Sequence, residues 1–169
     1  PLDLVRRTSR NGHPILAFAR FRECEDDLSR RLRDLLAEPP SPVAYLPDGL
    51  LDRDPPLHGR QSEAVRRAMA HRFMVVAGDP GTGKTTVVAR ILEAIEATSP
   101  RSTSEGTVLC APTGRAKARL LESVARQFPS ESPPASSTLH ALLGVRPDGS
   151  FRHDPDRPLP WLTIVLDEA

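Results

Sequence analysis

Residues 78 to 86 read Gly-Asp-Pro-Gly-Thr-Gly-Lys-Thr-Thr, and this stretch limits the possible folds more than anything else in the 169-residue chain. Four residues separate Gly78 from Gly83, and Lys84 and Thr85 come directly after the second glycine, which is the phosphate-loop spacing. An accidental match is expected on the order of once per thousand such chains. The flanks agree with the motif. Phe73 to Ala77 is a continuous apolar run of the kind that forms a buried parallel strand, and Val87, Val88, Ile91, Leu92 and Ile95 are spaced for one packed helix face. Glycines at such a strand-to-helix turn let successive N–H groups point inward at phosphate oxygens, and the helix adds its positive pole. Lys84 is placed against the β and γ phosphates of ATP, and the Thr85 hydroxyl is a ligand for Mg²⁺. Asp79, Pro80, Gly81, Thr82 and Thr86 complete the ATP-contacting loop. The bland alternative is a glycine-rich turn with a solvated lysine.

The rest of the chain supplies a matching frame. Helical patterns cover Arg60 to Ala70, Thr85 to Ala97, Arg115 to Phe128 and Thr138 to Leu143, and short apolar runs at Thr107 to Ala111 and Leu162 to Leu166 read as strands. Residues 129 to 137 read as a polar loop, and 146 to 160 as loop or a small hairpin. Strands alternating with helices over 58 to 169 predict an α/β fold with a parallel sheet. Residues 1 to 57 form a separate N-terminal region. It holds a strand at Ile15 to Phe18, a helix from Glu23 to Leu36 and a proline-rich linker. In that helix Leu28, Leu32, Leu35 and Leu36 share a face expected to pack inside the molecule. The acidic start (Glu23, Glu25, Asp26, Asp27) and the arginines that follow suit the helix dipole.

Composition narrows the classes further. No run of about 18 apolar residues occurs, so a membrane partner is not expected, and the first residues lack the layout of a secretion signal. Cys24 and Cys110 stand alone, without a Cys-x-x-Cys pair or a histidine cluster, which sets aside disulfide scaffolds and zinc modules and fits a reducing cytoplasm. Formal net charge is +1, so a nucleic-acid surface must be a local patch. Of the 23 basic residues 21 are arginine, which makes the lysine of the phosphate loop less of a coincidence.

A phosphate loop needs an acidic partner to hold Mg²⁺ from the other side and to activate water. Asp167 and Glu168 stand where the last apolar run ends, at the strand end where ligands of parallel sheets sit. Asp167 is the metal-side carboxylate in this reading and Glu168 the general base. Gln61 lies 17 residues before Gly78, and its amide matches the N6 and N7 edge of adenine, though a lone helical glutamine is usually solvated. Pro112, Thr113, Gly114 and Arg115 open a helix that also carries Lys117 and Arg119. They make either a cradle for a backbone phosphate or a solvated charged face. Thr138 and His140 stand at another helix start, as a second phosphate contact or as an N-cap and a surface residue.

Taken together, GDPGTGKTT (78–86), VLCAPTGRAKARLLES (108–123), STLHALLG (137–144) and PLPWLTIVLDEA (158–169) resemble the RecD-type DNA helicases of superfamily 1, the alpha subunit of exodeoxyribonuclease V. The likeness is strong over 58 to 169 and weaker over 12 to 36. It implies a RecA-like P-loop NTPase sheet, in a motor that couples ATP hydrolysis to 5′-to-3′ movement on single-stranded DNA in recombinational repair of double-strand breaks. Gln61 takes the place of the adenine-reading glutamine, Lys84 and Thr85 the phosphate-loop pair, and Asp167 and Glu168 the acidic pair. Thr113 and its neighbours, with Thr138 and His140, fall in DNA-proximal motifs. Arg115 departs from the lysine common there, keeping charge but changing contact geometry. The partners implied are single-stranded DNA, and the beta and gamma subunits where the parent works as part of exodeoxyribonuclease V.

The resemblance also implies that the sequence is an N-terminal fragment ending at the acidic motif. In the related topology the next strand inserts between the acidic strand and the phosphate-loop strand. The sheet is therefore expected to be incomplete, and the fragment to bind ATP without unwinding DNA. Two other classes compete: a phosphate-loop kinase with residues 146 to 160 as its lid, and a nucleotide-binding assembly module docking through the N-terminal helix.

Overall fold

The computed structural model describes residues 4–8, 14–38, 46–98, 103–130 and 133–167. The chain divides into two compact units, one of residues 1–40 with 71–73 and one of residues 41–70 with 74–169.

In the first unit, β1 (Leu4–Thr8) and β2 (Pro14–Phe18) pair antiparallel, with Leu4 opposite Phe18 and Thr8 opposite Pro14. Helix α1 (Ala19–Ala37) follows without a break. It starts four residues earlier than the charge pattern predicts. The acidic cluster therefore lies beyond the first turn, and no basic residue falls in the last. These charges act on one another instead: Asp27 receives Arg31 at 2.7 Å and Arg30 at 2.9 Å. The hydrogen bond from Arg31 holds the Asp27 carboxyl below its ordinary range. The leucine face is also not internal. Leu28, Leu35 and Leu36 are 56%, 38% and 61% exposed. Strands of five residues reach about 17 Å, whereas a 19-residue helix runs about 28 Å, so the hairpin is too short to cover it.

The second unit is built on a parallel sheet in the order β4-β3-β5, with β3 (Thr107–Ala111) between β4 (Ala135–Thr138) and β5 (Thr163–Leu166). Ala111 lies opposite Thr138, and Cys110 opposite Leu166. Central β3 is buried along its whole length, which its Thr-Val-Leu-Cys-Ala sequence permits. Its side chains alternate between two cores. Leu109 packs with Ala89 and Leu92 of α3 (Lys84–Thr98), with Leu120 and Val124 of α5 (Gly114–Gln127), and with Phe128. Val108 and Cys110 pack on the other face with Leu142 of α6 (Leu139–Leu143), flanked by Leu139 and Trp161. Burial pushes the Cys110 thiol above its ordinary range, leaving it an inert core residue. A third cluster joins Leu50, in a 3₁₀ turn (Leu50–Asp52), to Met69 of α2 (Gly59–Ala70) and Ala94 of α3. A short α4 (Thr103–Gly106) leads into β3.

Two local expectations fail. Residues 135–138 form a strand where a loop was expected, because Ala-Ser-Ser-Thr lacks an apolar run but borrows its ladder from β3. Phe73 to Ala77 forms no strand, and Val75 is 74% exposed. A strand exists only through a neighbour's N–H and C=O groups. Among the described residues the sheet has no member beside this run.

Candidate nucleotide site

The phosphate loop turns through two left-handed glycines, Gly81 with φ 81° and Gly83 with φ 80°, and α3 begins at Lys84. Within the turn, Thr82 donates both its hydroxyl (2.8 Å) and its N–H (3.3 Å) to the Asp79 carbonyl. Lys84 Nζ donates to the carbonyls of Gly78 (2.7 Å) and Asp79 (3.0 Å). The ammonium thus folds back over its own loop, where it neutralises the partial negative charge of two carbonyls. Thr85 and Thr86 are half-buried at the first turn of α3.

Gln61 reaches this loop from α2. Its Oε1 accepts the His58 N–H at 2.9 Å, and its Nε2 donates to the Thr82 carbonyl at 3.1 Å. Gly83 permits that approach, since a Cβ there would collide with Gln61 Nε2. Gln61, to which the resemblance gives the adenine-reading place, therefore stands against the phosphate loop, both halves of its amide engaged.

The sheet carries the other candidates. β3, β4 and β5 are parallel, so their C-terminal ends lie at one edge. From β3 the chain passes through Pro112 to Thr113, which caps α5 by accepting the Ala116 N–H at 3.2 Å. Gly114 and Arg115 follow, both exposed. From β4 it reaches Thr138, which caps α6 by accepting the Ala141 N–H at 3.3 Å, with His140 exposed beside it. The N-cap reading of Thr138 is therefore realised and Thr113 is a cap as well, each accepting with an oxygen whose own proton can still be donated. From β5 it reaches Asp167, half-buried, whose N–H donates to the Cys110 carbonyl at 2.9 Å and extends the ladder by one residue. Glu168 lies outside the described residues.

Thr85 and Asp167 offer a hydroxyl and a carboxylate, the hard oxygen donors that Mg²⁺ takes alongside phosphate oxygens and water. Among the described residues no group of three or more His, Cys, Asp or Glu could hold a metal. One polar residue went unnoticed in the sequence: Arg90 of α3, 5% exposed. The signal was there, since Arg90 sits three residues after Val87 and four before Ala94, on a stripe otherwise apolar.

Residues 61–169 match the protein family described as AAA domain. The chain belongs to that family. Its sheet, with helices on both faces, is that of an incomplete RecA-like P-loop NTPase fold. It is 34% identical over 147 residues to the ATP-dependent RecD2 DNA helicase of Deinococcus radiodurans, covering 86% of this chain and 19% of the relative. It is 38% identical over 119 residues to the RecBCD enzyme subunit RecD of Mycobacterium tuberculosis (64% of this chain, 21% of the relative). The RecD subunit of Mycolicibacterium smegmatis is 40% identical over 121 residues (64% and 22%). The resemblance to RecD-type helicases thus holds, and the chain spans about a fifth of the length of these relatives. Among the described residues no helix is long and apolar enough to cross a membrane.

Proposed function

We propose that this AAA domain chain is the nucleotide-binding part of a DNA helicase motor that hydrolyses ATP while moving 5′ to 3′ along single-stranded DNA. The observation that carries the reading is the convergence of Gln61, the Thr82 carbonyl and Lys84 on one glycine turn at the start of α3. On nucleotide binding Lys84 exchanges the Gly78 and Asp79 carbonyls for phosphate oxygens. Gln61 turns its amide from His58 and Thr82 to the adenine edge. Thr85 and Asp167 hold Mg²⁺, which neutralises phosphate charge when bound. Glu168, next to Asp167 in sequence, takes a proton from the attacking water. Thr113, Arg115, Thr138 and His140 face the DNA backbone from the sheet edge. The relatives extend the proposal to the parent protein: repair of double-strand breaks in the cytoplasm, beside the beta and gamma subunits if the parent is a RecBCD component.

The test is phosphate release by the parent protein at one fixed salt concentration, with and without single-stranded DNA. DNA should stimulate the rate, and Lys84→Ala should remove the stimulated rate while leaving the fold intact. A rate indifferent to DNA would sink the motor reading in favour of a kinase, and ATP bound without turnover would favour an assembly module.

A further inference from the structure

Helix α3 carries a buried cation that neither phosphate nor DNA chemistry uses. Arg90 lies two turns into the helix, about 9 Å along its axis from Lys84. Its side chain is 6% exposed. Nη2 donates to the carbonyls of Arg53 (3.2 Å) and Pro55 (3.1 Å), and Nη1 to Glu93 Oε2 (2.9 Å). Glu93, itself only 13% exposed, also receives Arg53 at 3.4 Å. Nε is buried and has no partner among the described residues. Burying a guanidinium with one donor unsatisfied is a poor way to stabilise a fold, since an apolar side chain of similar volume is often as good or better. What it does supply is direction, because a planar fork fixes the groups it binds.

The groups fixed here are backbone carbonyls of the segment leading to Gln61. From Pro55 the chain runs to Leu57, whose N–H donates to Leu51 O (3.2 Å), and then to His58, whose N–H donates to Gln61 Oε1. Gln61 Nε2 donates to Thr82 O, and two residues later the chain is back on α3 at Lys84. These bonds form a closed circuit that starts on α3 at Arg90 and returns to α3 at its first residue. We propose that Arg90 is a positioning residue for base recognition: by pinning residues 53 to 55 onto α3, it sets the position of His58 and hence the orientation of the Gln61 amide at the phosphate loop. This rests on the nucleotide reading above.

The experiment uses the 169-residue chain with Mg²⁺ and three probes, ATP, GTP and inorganic triphosphate, together with amide hydrogen exchange of the unliganded protein. Triphosphate reads the loop alone, and the ATP-to-GTP ratio reads the base. Arg90→Met should fold by circular dichroism and bind triphosphate as the wild type does. Exchange at Leu57, His58 and Ser62 should quicken about tenfold, and the ATP preference should fall by about the same factor, as expected for losing charged hydrogen bonds. Arg90→Lys, which keeps donors but not the fork, should recover part of both. If Arg90→Met fails to fold, Arg90→Lys and Arg90→Gln carry the same comparison at smaller amplitude. Unchanged exchange, or quickened exchange with an intact ATP preference, overturns the proposal. A wild type that binds triphosphate but prefers neither nucleotide overturns it through Gln61 and leaves the phosphate-loop reading standing. A wild type that binds no probe removes both.

Discussion

Gly83 and Gly78 bound the same turn, and an added methyl group would meet a side chain at each, but only Gly83 has a backbone that an L-residue rarely adopts. At Gly83 the backbone is left-handed, which costs an L-residue roughly 1–2 kcal/mol, and a Cβ would run into the Gln61 amide. At Gly78 a Cβ would meet the Thr82 hydroxyl at 2.7 Å, and that group can rotate away by giving up one hydrogen bond worth about 1 kcal/mol. Gly83→Ala should therefore weaken ATP binding by more than about tenfold, and Gly78→Ala by about fivefold or less, both read by calorimetric titration. Equal losses would mean that the contact between Gln61 and Gly83 plays no part. At this scale the sequence was most legible where chemistry dictates spacing. The phosphate-loop spacing put Lys84 and Thr85 at a helix start, and α3 begins at Lys84, whereas Gln61 stood out through the family resemblance rather than through its chemistry alone. Arg90 was not legible as a partner of residues 53 and 55, because backbone carbonyls 35 and 37 residues away leave no trace in side-chain identity.

Among the elements, α5 joins local stability to proposed function in one side chain. Thr113 caps the helix through its hydroxyl, so Thr113→Ala should lower stability by about 1 kcal/mol, and Thr113→Ser by much less. If Thr113 also meets DNA, the alanine variant should lose DNA-stimulated ATPase by more than its population of unfolded chain explains, while the serine variant keeps it. Denaturant melts and rates measured on the same preparations separate the two effects. β3 and α5 were readable within a residue because burial, periodicity and capping agree there. β4 was not, since Ala-Ser-Ser-Thr acquires its strand character from β3 alone. The Phe73 to Ala77 run fails in the opposite direction. Its composition is that of a strand, but pairing belongs to two segments, and among the described residues none lies beside it. For α1, the leucine spacing was real and the burial was not, because amphipathicity reports a face and not what covers it.

For the molecule as a whole, charge decides how DNA must be held. If the chain holds DNA as proposed, a net charge of +1 gives no general attraction for a polyanion, and affinity rests on the sheet edge where Thr113, Thr138 and Asp167 emerge. The cations on α5 beside that edge are Arg115 and Arg119, both exposed, and Lys117, half-buried. Each phosphate neutralised on a single strand contributes about −0.7 to the slope of log affinity against log salt. If all three cations engage, the slope should be no steeper than about −2, far shallower than for a strongly basic groove. Arg115→Ala should flatten it by about 0.7 and lower affinity uniformly across sequences, because a phosphate contact carries no base information. Fluorescence anisotropy of a labelled single strand over a salt series measures both quantities. Asp167 works against this edge in the proposal, since its carboxylate emerges there beside the cations. A slope unchanged by Arg115→Ala would move the DNA path off this edge, whatever the ATP site does.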